Sequence, residues 1–485
     1  MYGHRSDHAI VLGASLAGLA AAAALARRFP RVTVLERRAS PSGSASIAPQ
    51  GVMPHILLPA GAQALERLLP GLLADLDTAG GGHATVENGR WWSEGWRVPY
   101  PGDTSYAPLA SRGLVEASVR ARVDALPAVR VEHGVAAAGL RVRDGRVIGV
   151  VTDGGRDLVA DLVVDASGRG SRLPAWLEAA GHAAPPVSEV KVDLGYVGAE
   201  LEGDLDRDLG GTRWAVIQNV PPATRMGVVL GVEGGRWLVL LGGYFGDRPP
   251  ADPDGYRAFA AALPDPLIAD LLARRRPTSF HPYRFAASRR VHFERARLPS
   301  GLLVVGDAMT SVNPIYGQGM SVAALQAEAL GALLDRGDEP ASLTRVGIKR
   351  LAAIADQAWQ VSVGADFAYP ATEGARPPAV AMINRHVARV MRACTIDPVV
   401  CAAMSDVQYM LSPPSRLMQP GIILRTLRAQ GRWRRAQARA GAAASGSVPA
   451  APPTPALAHA SDHVLGADAT SRSSAARSSS SQAWR

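Results

Sequence analysis

The chain of 485 residues is long for one core, and an apolar content of 47% is enough for two packed domains and a tail. Its formal charge of +9 is local: residues 421–485 hold nine Arg against two acids, 9 − 2 = +7, so the body is nearly neutral. Only Lys191 and Lys349 are lysines and no basic face is interleaved with aromatics, which argues against nucleic acid as a partner.

Two cysteines, Cys394 and Cys401, match no zinc spacing and are too few for a secreted disulfide scaffold, so no metal site is expected and a reducing cytoplasm is the expected location. The start of the chain lacks the charged-then-apolar layout of a signal peptide. Gly13, Ser15 and Gly18 interrupt the uncharged run from Ala9 to Ala26, which predicts no integral membrane segment.

Residues 8–38 read as strand, glycine turn, Ala-rich helix, strand and acid. Gly13, Ser15 and Gly18 occupy the three positions of a dinucleotide fingerprint, with Ser in place of the second glycine, and Glu36 ends the second strand where ribose hydroxyls are held. An acid there disfavours a 2′-phosphate, so the expected dinucleotide is FAD or NAD. A loop with Pro49, Gln50, Gly51 and His55 follows, and His55 is the one candidate for an active-site histidine. The segment WWSEGWRVPY carries Trp91, Trp92 and Trp96 and reads as a strand whose large apolar surfaces serve core packing or a substrate cavity wall.

Ser111 caps a helix that opens with Arg112, placed to reach a phosphate or a flavin edge unless it is simply solvated. Two segments, RVEHGVAAAGLRV and RVIGVVTDGG, joined by Asp144 and Gly145, predict a hairpin. A second apolar strand then ends in Asp165, Ser167, Gly168, Arg169 and Ser171. From Lys191 to Phe285 alternating segments predict an inserted antiparallel sheet, broken by one short helix near Tyr256.

The stretch Gly301–Leu330 repeats the strand-end logic. A β-branched run, Leu302–Val305, is followed by Gly306 and Asp307, then a loop with Pro314, Gly317 and Gly319, then a helix. The unpaired N–H groups at that helix start can hold an oxygen that is or becomes negative. Residues 343–430 read as mostly helical, and the Ala, Ser, Pro and Arg bias beyond about Trp433 predicts a disordered tail.

Three signatures thus stand in order: GASLAG with Glu36, DASGRGS, and GDAMTSVNPIYGQGM. Together with PQG, GRGSRLPAWL, ADFAYPATEG and DPVVCAAMSDVQYMLSPPSRLMQP, the chain resembles the flavoprotein aromatic hydroxylase superfamily, which includes squalene epoxidase, over roughly residues 8–430. Within it the chain is most similar to actinobacterial-type FAD monooxygenases, among them polyether alkene epoxidases.

The resemblance implies a mixed α/β fold in which a Rossmann-like FAD-binding domain carries an inserted antiparallel-sheet substrate domain and a helical C-terminal region. Its expected boundaries are 1–185 and 291–345 for the FAD-binding domain, with a substrate-side segment near 85–110. The sheet spans 186–290, the helical region 346–432, and the basic tail 433–485. It also implies that Gly13, Ser15 and Gly18, with Ala14, hold the FAD pyrophosphate. Glu36 would hold the adenosine ribose, with Arg37 and Val135 nearby, and Arg112 the phosphate or ribityl region. Gly306 and Asp307 would meet the ribityl chain, while Pro314, Gly317 and the amides of Gly319 and Met320 would face the flavin. Asp165 and Gly168 resemble the superfamily's Asp-Gly motif, here Asp165-Ala166-Ser167-Gly168, a departure that leaves NAD(P)H or a partner flavin reductase as the electron donor. Tyr316 joins the three tryptophans as a candidate cavity wall.

The implied reaction uses O2 as cosubstrate. A flavin C4a-hydroperoxide passes an oxygen atom to a lipophilic, polyketide- or terpenoid-like metabolite, by hydroxylation or epoxidation. An alkene needs no side-chain base for this step and a phenol benefits from one, so no obligatory catalytic residue is expected. The competing readings are a flavin dehydrogenase or reductase, a halogenase-like flavoenzyme, and a flavin-binding protein without turnover.

Overall fold

The structure is a computed structural model that describes residues 7–40, 51–85, 87–93, 96–98, 107–218, 220–336 and 340–445, with backbone alone at 96–97, 340–341 and 433–445. Its organising element is a five-stranded, wholly parallel sheet in the order Leu302–Val304, Leu162–Asp165, His8–Leu12, Arg31–Glu36, Val129–His133. These strands are nearly continuous apolar runs because both faces are covered, as a parallel sheet requires. Parallel pairing also brings every carboxyl end to one edge. Gly13, Glu36, Asp165 and Asp307 therefore meet there although nearly 300 residues separate the first from the last.

The helix Leu16–Leu25 is buried all round except for Ala17, which is why it is built almost entirely of Ala and Leu. It packs with the helix Gly319–Asp335, which in turn lies against Pro59–Leu68. At that last contact a β-carbon on Gly61 would come 2.5 Å from the Ser321 hydroxyl, so only glycine allows the approach.

The expected hairpin is divided. Val129–His133 joins the edge of the parallel sheet, and the hairpin proper pairs Ala137–Arg143 with Arg146–Thr152 across Asp144 and Gly145, both at positive φ as a two-residue reverse turn requires.

The inserted sheet is larger than the segment 186–290. Its strands run in the order Thr310–Ser311, Ser279–Val291, Val187–Glu202, Arg236–Tyr244, Arg225–Val232, Trp214–Gln218, Gly89–Ser93, Trp96–Val98. It is antiparallel except where Gly89–Ser93 enters parallel to Trp214–Gln218, a strand contributed from the earlier part of the chain. One face, with Val197, Val229, Val239 and Leu241, is covered by Pro253–Ala261 and Leu267–Arg274, two helices where the sequence predicts one, separated at Pro264 and Pro266. The other face, with Tyr196, Met226, Tyr244 and Phe285, packs on Val363, Phe367 and Tyr369. Thr310 and Ser311, four residues beyond Gly306, pair with Arg290 and Arg289, so the loop after Asp307 is sewn directly to the inserted sheet.

The C-terminal helices Val380–Cys394, Pro398–Gln408 and Pro420–Ser445 share a small core around Val390, Val400 and Ile422. The last of them runs through Trp433, where composition predicts loss of order. Apolar positions at Ile422 and Ala429 dock its first turns, and the helix carries on to Ser445; residues 446–485 lie outside the described residues.

Candidate cofactor and active site

Gly13 has φ +101°, and a β-carbon there would lie 2.7 Å from the carbonyl oxygen of Ala166 on the neighbouring strand end. A β-carbon on Gly18 would strike the Gly13 carbonyl oxygen at 1.8 Å. The two glycines thus let turn, sheet and helix close on one another, as the fingerprint demands. Gly13→Ala is expected to lose bound flavin and about 1–3 kcal/mol of stability from backbone strain and the clash; a variant with unchanged melting temperature and flavin content would refute this.

Ser15 is the N-cap of the helix Leu16–Leu25 but makes no side-chain cap. Its hydroxyl donates instead to Glu116 Oε1 at 3.0 Å, leaving the helix N–H groups free to hold an anion. Glu116 is fully buried, and the same oxygen accepts from Arg112 Nε at 3.0 Å. Arg112 also reaches Ser15 Oγ at 3.4 Å and His55 Nε2 at 3.3 Å. Ser111 holds its helix in place: its hydroxyl accepts from Leu114 N, while its N–H and hydroxyl donate to Glu233 of the inserted domain at 2.9 and 2.5 Å.

His55 is not an acid–base group in this setting. Nδ1 lies 2.8 Å from the Met53 carbonyl and must carry the proton, so Nε2 offers its lone pair to Arg112. Burial first, and then the Arg112 charge, push its pKa down to about 3. The candidate active-site histidine thus stands as a neutral acceptor that steadies Arg112.

Glu36 is buried, and its two oxygens accept from Ala14 N at 2.8 Å and Arg38 N at 2.9 Å, which ties the fingerprint turn to the acid. The Val135 N–H donates to the Glu36 carbonyl at 2.9 Å, whereas the Arg37 side chain is exposed. Asp165 differs from expectation. It is fully buried, and its carboxylate accepts from Ser167 N, Ser167 Oγ and Ser171 Oγ, so it shapes its own loop and offers no oxygen outward. Burial raises its pKa against those three bonds. Gly168, at φ +82°, has open space on its β-carbon side.

Gly306 turns the chain at φ +63°, with its N–H donating to Gln326 Oε1 at 2.7 Å; the buried Gln326 is braced by a bond from Nε2 to the Leu351 carbonyl. This turn presents Asp307 to space open to solvent yet enclosed by protein. Burial pushes its carboxyl above the usual range while Arg112 and then Arg169 pull it back. Arg169 donates to Ser311 Oγ at 3.1 Å and stacks 5.2 Å from the centre of the Phe285 ring. Beyond Asp307, Pro314 is exposed, Gly317 sits at φ +65°, and Gly319 is exposed with no heavy atom within 4 Å of where a β-carbon would sit. The helix Gly319–Asp335 starts without a side-chain cap, and Met320 is buried in its first turn.

The tryptophans separate. Side chains of neighbouring strand residues point to opposite faces, so Trp92, opposite Ile217, enters the core beneath the helices 253–274, while Trp91, opposite Val216 and Val98, packs against the cluster of Leu109, Trp214 and Leu230. Trp92 is therefore core, not cavity wall; the Trp96 side chain lies outside the described residues. Tyr316 is half-buried in the loop before Gly317.

Two uncapped helix starts, an acid at each of two strand ends and an arginine between them form a continuous cradle suited to a dinucleotide with two phosphates. The open side of Gly319 and the enclosed, exposed Asp307 leave room at the loop end. The residues thus fit FAD. Glu116, Gln326 and Arg169 belong to this site and escape a reading of motifs, although Arg169 lies inside DASGRGS. Among the described residues no group of His, Cys, Asp or Glu could hold a metal ion, and no helix is long and apolar enough to cross a membrane.

A family model described as an NAD(P)-binding Rossmann-like domain matches residues 11–70. Protein Rv3254 of Mycobacterium tuberculosis is 35% identical over 379 residues, covering 72% of this chain and 78% of that protein. Among solved structures, p-nitrophenol 4-monooxygenase PnpA from Pseudomonas putida has a TM-score of 0.60 at 21% identity, over 84% of this chain and 98% of that one. A tetrameric form of 2-methyl-3-hydroxypyridine-5-carboxylic acid oxygenase has a TM-score of 0.57 at 20% identity, over 75% and 91%. PqsL of Pseudomonas aeruginosa, described as a probable FAD-dependent monooxygenase, has 0.56 at 18%, over 75% and 98%. With its strand-end signatures on the parallel sheet edge, the chain belongs to the family of Protein Rv3254 and shares the fold of these three oxygenase structures.

Proposed function

We propose that the protein is an FAD-dependent monooxygenase that hydroxylates or epoxidises a lipophilic, polyketide- or terpenoid-like metabolite. The observation that carries this reading is the convergence of Gly13, Glu36, Arg112 and Asp307 on one sheet edge beside the uncapped start of the helix Gly319–Asp335. When bound, FAD supplies the electron storage and oxygen activation. The chain supplies the rest. Arg112, steadied by Glu116 and His55, and the N–H groups after Ser15 hold phosphate charge; Asp307 accepts hydroxyls; the helix start at Gly319 places partial positive charge where reduced flavin gathers negative charge.

Tyr196, Met226, Tyr244, Phe285 and Phe367 form a buried cluster on which Ile315 of the loop before Gly317 packs, and apolar surroundings of this kind favour a lipophilic substrate. Electrons would come from NAD(P)H or a partner flavin reductase. Cys394 and Cys401 are buried thiols outside any disulfide, which favours a reducing cytoplasm.

Anaerobic reduction followed by mixing with oxygen tests the reading. Transient C4a-adduct absorbance, with oxygen consumed in step with oxygenated product, is expected; its absence with substrate left unoxidised would sink it, and oxygen consumption unlinked to oxygen incorporation would favour a dehydrogenase. Asp307→Ala is expected to purify without flavin, and a fully yellow variant would show that the ribityl site lies elsewhere.

A further inference from the structure

We infer that Glu233, at the tip of a hairpin in the inserted sheet, is a positioning residue for the cofactor. It fixes the start of the helix Arg112–Asp124 and thereby the direction in which Arg112 reaches for FAD phosphate. This rests on the FAD-binding reading of the site and deepens it.

The two helix starts beside Arg112 are finished differently. Leu16–Leu25 begins without a side-chain cap, so its first N–H groups are open to an anion. Arg112–Asp124 begins closed. Ser111 Oγ accepts from Leu114 N at 3.1 Å, and the Ser111 N–H donates to Glu233 Oε2 at 2.9 Å. What this second helix offers an anion is therefore the Arg112 side chain, and a side chain is aimed only as well as the backbone that carries it.

Glu233 fixes that backbone from the neighbouring domain. The Ser111 hydroxyl donates to Glu233 Oε1 at 2.5 Å, which leaves its lone pairs turned towards Leu114 N. With the Ser111 N–H bound to the other oxygen, one carboxylate grips the residue next to Arg112 by backbone and side chain together, through charge-assisted bonds. The negative group also meets the positive end of the helix dipole. Arg112 is thus held at both ends: its guanidinium by Glu116, Ser15 and His55, and its backbone through Ser111 by Glu233.

Glu233 is itself braced. It lies between the strands Arg225–Val232 and Arg236–Tyr244, and Gly234 and Gly235 follow it at φ +72° and +67°, a left-handed pair that glycine adopts without strain. The Gly235 carbonyl accepts from Gly203 N at 3.0 Å. Arg236 donates to Glu233 Oε1 at 2.5 Å and to Glu200 Oε1 at 3.0 Å, which joins the tip to the long strand Val187–Glu202. The Glu233 side chain is 14% exposed and Ser111 is buried, so water competes little for these bonds. Ser111 and Glu233 are 122 positions apart, and the grip exists only once the inserted sheet is folded against the parallel-sheet domain. The strands that meet at Glu233 also carry Met226 and Tyr244, so one hairpin runs from the apolar cluster under Ile315 to the start of the Arg112 helix.

The test titrates FAD into the flavin-free full chain and reads the Kd from flavin fluorescence at several salt concentrations. Glu233→Ala is expected to raise the Kd about tenfold, the size of one hydrogen bond to a charged group. Its Kd should also depend less on salt than that of wild type, because a guanidinium–phosphate contact has been loosened. Glu233→Gln keeps an acceptor for the Ser111 N–H and should recover part of the loss; it carries the test if the alanine variant does not fold. Glu233 acts through Ser111, so combining Glu233→Ala with Ser111→Ala should cost less than the product of the two separate losses. Losses that multiply overturn the inference. So does a lowered unfolding midpoint with the Kd and its salt dependence unchanged, which is what a contact that merely joins the domains would give. Oxygenated product from wild type, together with unchanged FAD affinity in Glu233→Ala and Glu233→Gln, would sink this inference and leave the monooxygenase reading standing. The expected loss of affinity in the variants, with no C4a adduct and no oxygenated product in wild type, would do the reverse. Failure of the wild-type chain to bind FAD overturns both.

Discussion

Glu116→Ala is expected to destabilise the protein by about 3–5 kcal/mol, the usual loss when one partner of a buried ion pair is removed, and to yield it free of flavin. The carboxylate is fully buried, and the Arg112 side chain opposite it is only 12% exposed, so alanine leaves a guanidinium without its hydrogen-bonded carboxylate in a place water barely reaches. A second consequence falls on the cofactor site. Glu116 holds the Ser15 hydroxyl away from its own helix. Released, that hydroxyl is free to swing back and cap the N–H groups of the helix Leu16–Leu25, as a serine at this position ordinarily does, and so to occupy donors meant for phosphate. Urea unfolding midpoints and the ratio of flavin to protein absorbance measure the two effects separately. Glu116→Gln keeps an acceptor for Ser15 while removing the charge, so it should recover part of the flavin binding and less of the stability. A Glu116→Ala protein that unfolds like wild type and stays yellow would show that neither role is real.

The strand ends were legible in the sequence because a parallel sheet writes them plainly. Leu302–Val304 and His8–Leu12 are short apolar runs; Gly13 follows the second directly, and Val305, Gly306 and Asp307 follow the first. Glu36 and Asp307 could be placed without knowing a single contact. Glu116, Gln326 and Asp366 could not. Each is an ordinary polar residue in a helix, and each matters only through a partner distant in sequence: Ser15 for Glu116, the Gly306 amide for Gln326, Asn313 for Asp366. No periodicity marks such pairs, because burial of a helix residue depends on what the fold lays against it. Trp92 fails for the opposite reason. Aromatic density marks the strand, but its assignment to a cavity needed the face, and alternation sends Trp91 and Trp92 to different sides. His55 shows a third limit: the sequence offers it as a candidate active-site group, yet the Met53 carbonyl and Arg112 decide that it stays neutral.

Asp366→Asn is expected to change how stability depends on pH, in the flavin-free protein and with no substrate present. The native carboxyl has its pKa raised from 3.8 to about 7 by burial, so between those values the unfolded chain has released the proton that the folded chain still holds. More protons bound in the native state means that stability falls as pH rises through this window and levels off above about pH 7. At 1.36 kcal/mol per unit, the shift of about three units amounts to about 4 kcal/mol, present in full below pH 4 and lost by pH 8. Asparagine has no such proton. It keeps an oxygen to accept from Asn313 and Tyr316, and puts a buried N–H2 where Oδ2 stands, at a cost of about 1–3 kcal/mol that does not vary with pH. The variant should therefore be the less stable protein in acid and should gain on wild type steadily towards neutrality, the two unfolding curves converging or crossing near pH 7. Tyr316→Phe, which removes one donor from the carboxylate, should move the wild-type inflection upward instead of abolishing it. A stability difference between wild type and Asp366→Asn that is constant from pH 4 to pH 8 would mean that Asp366 is ionised in the folded protein.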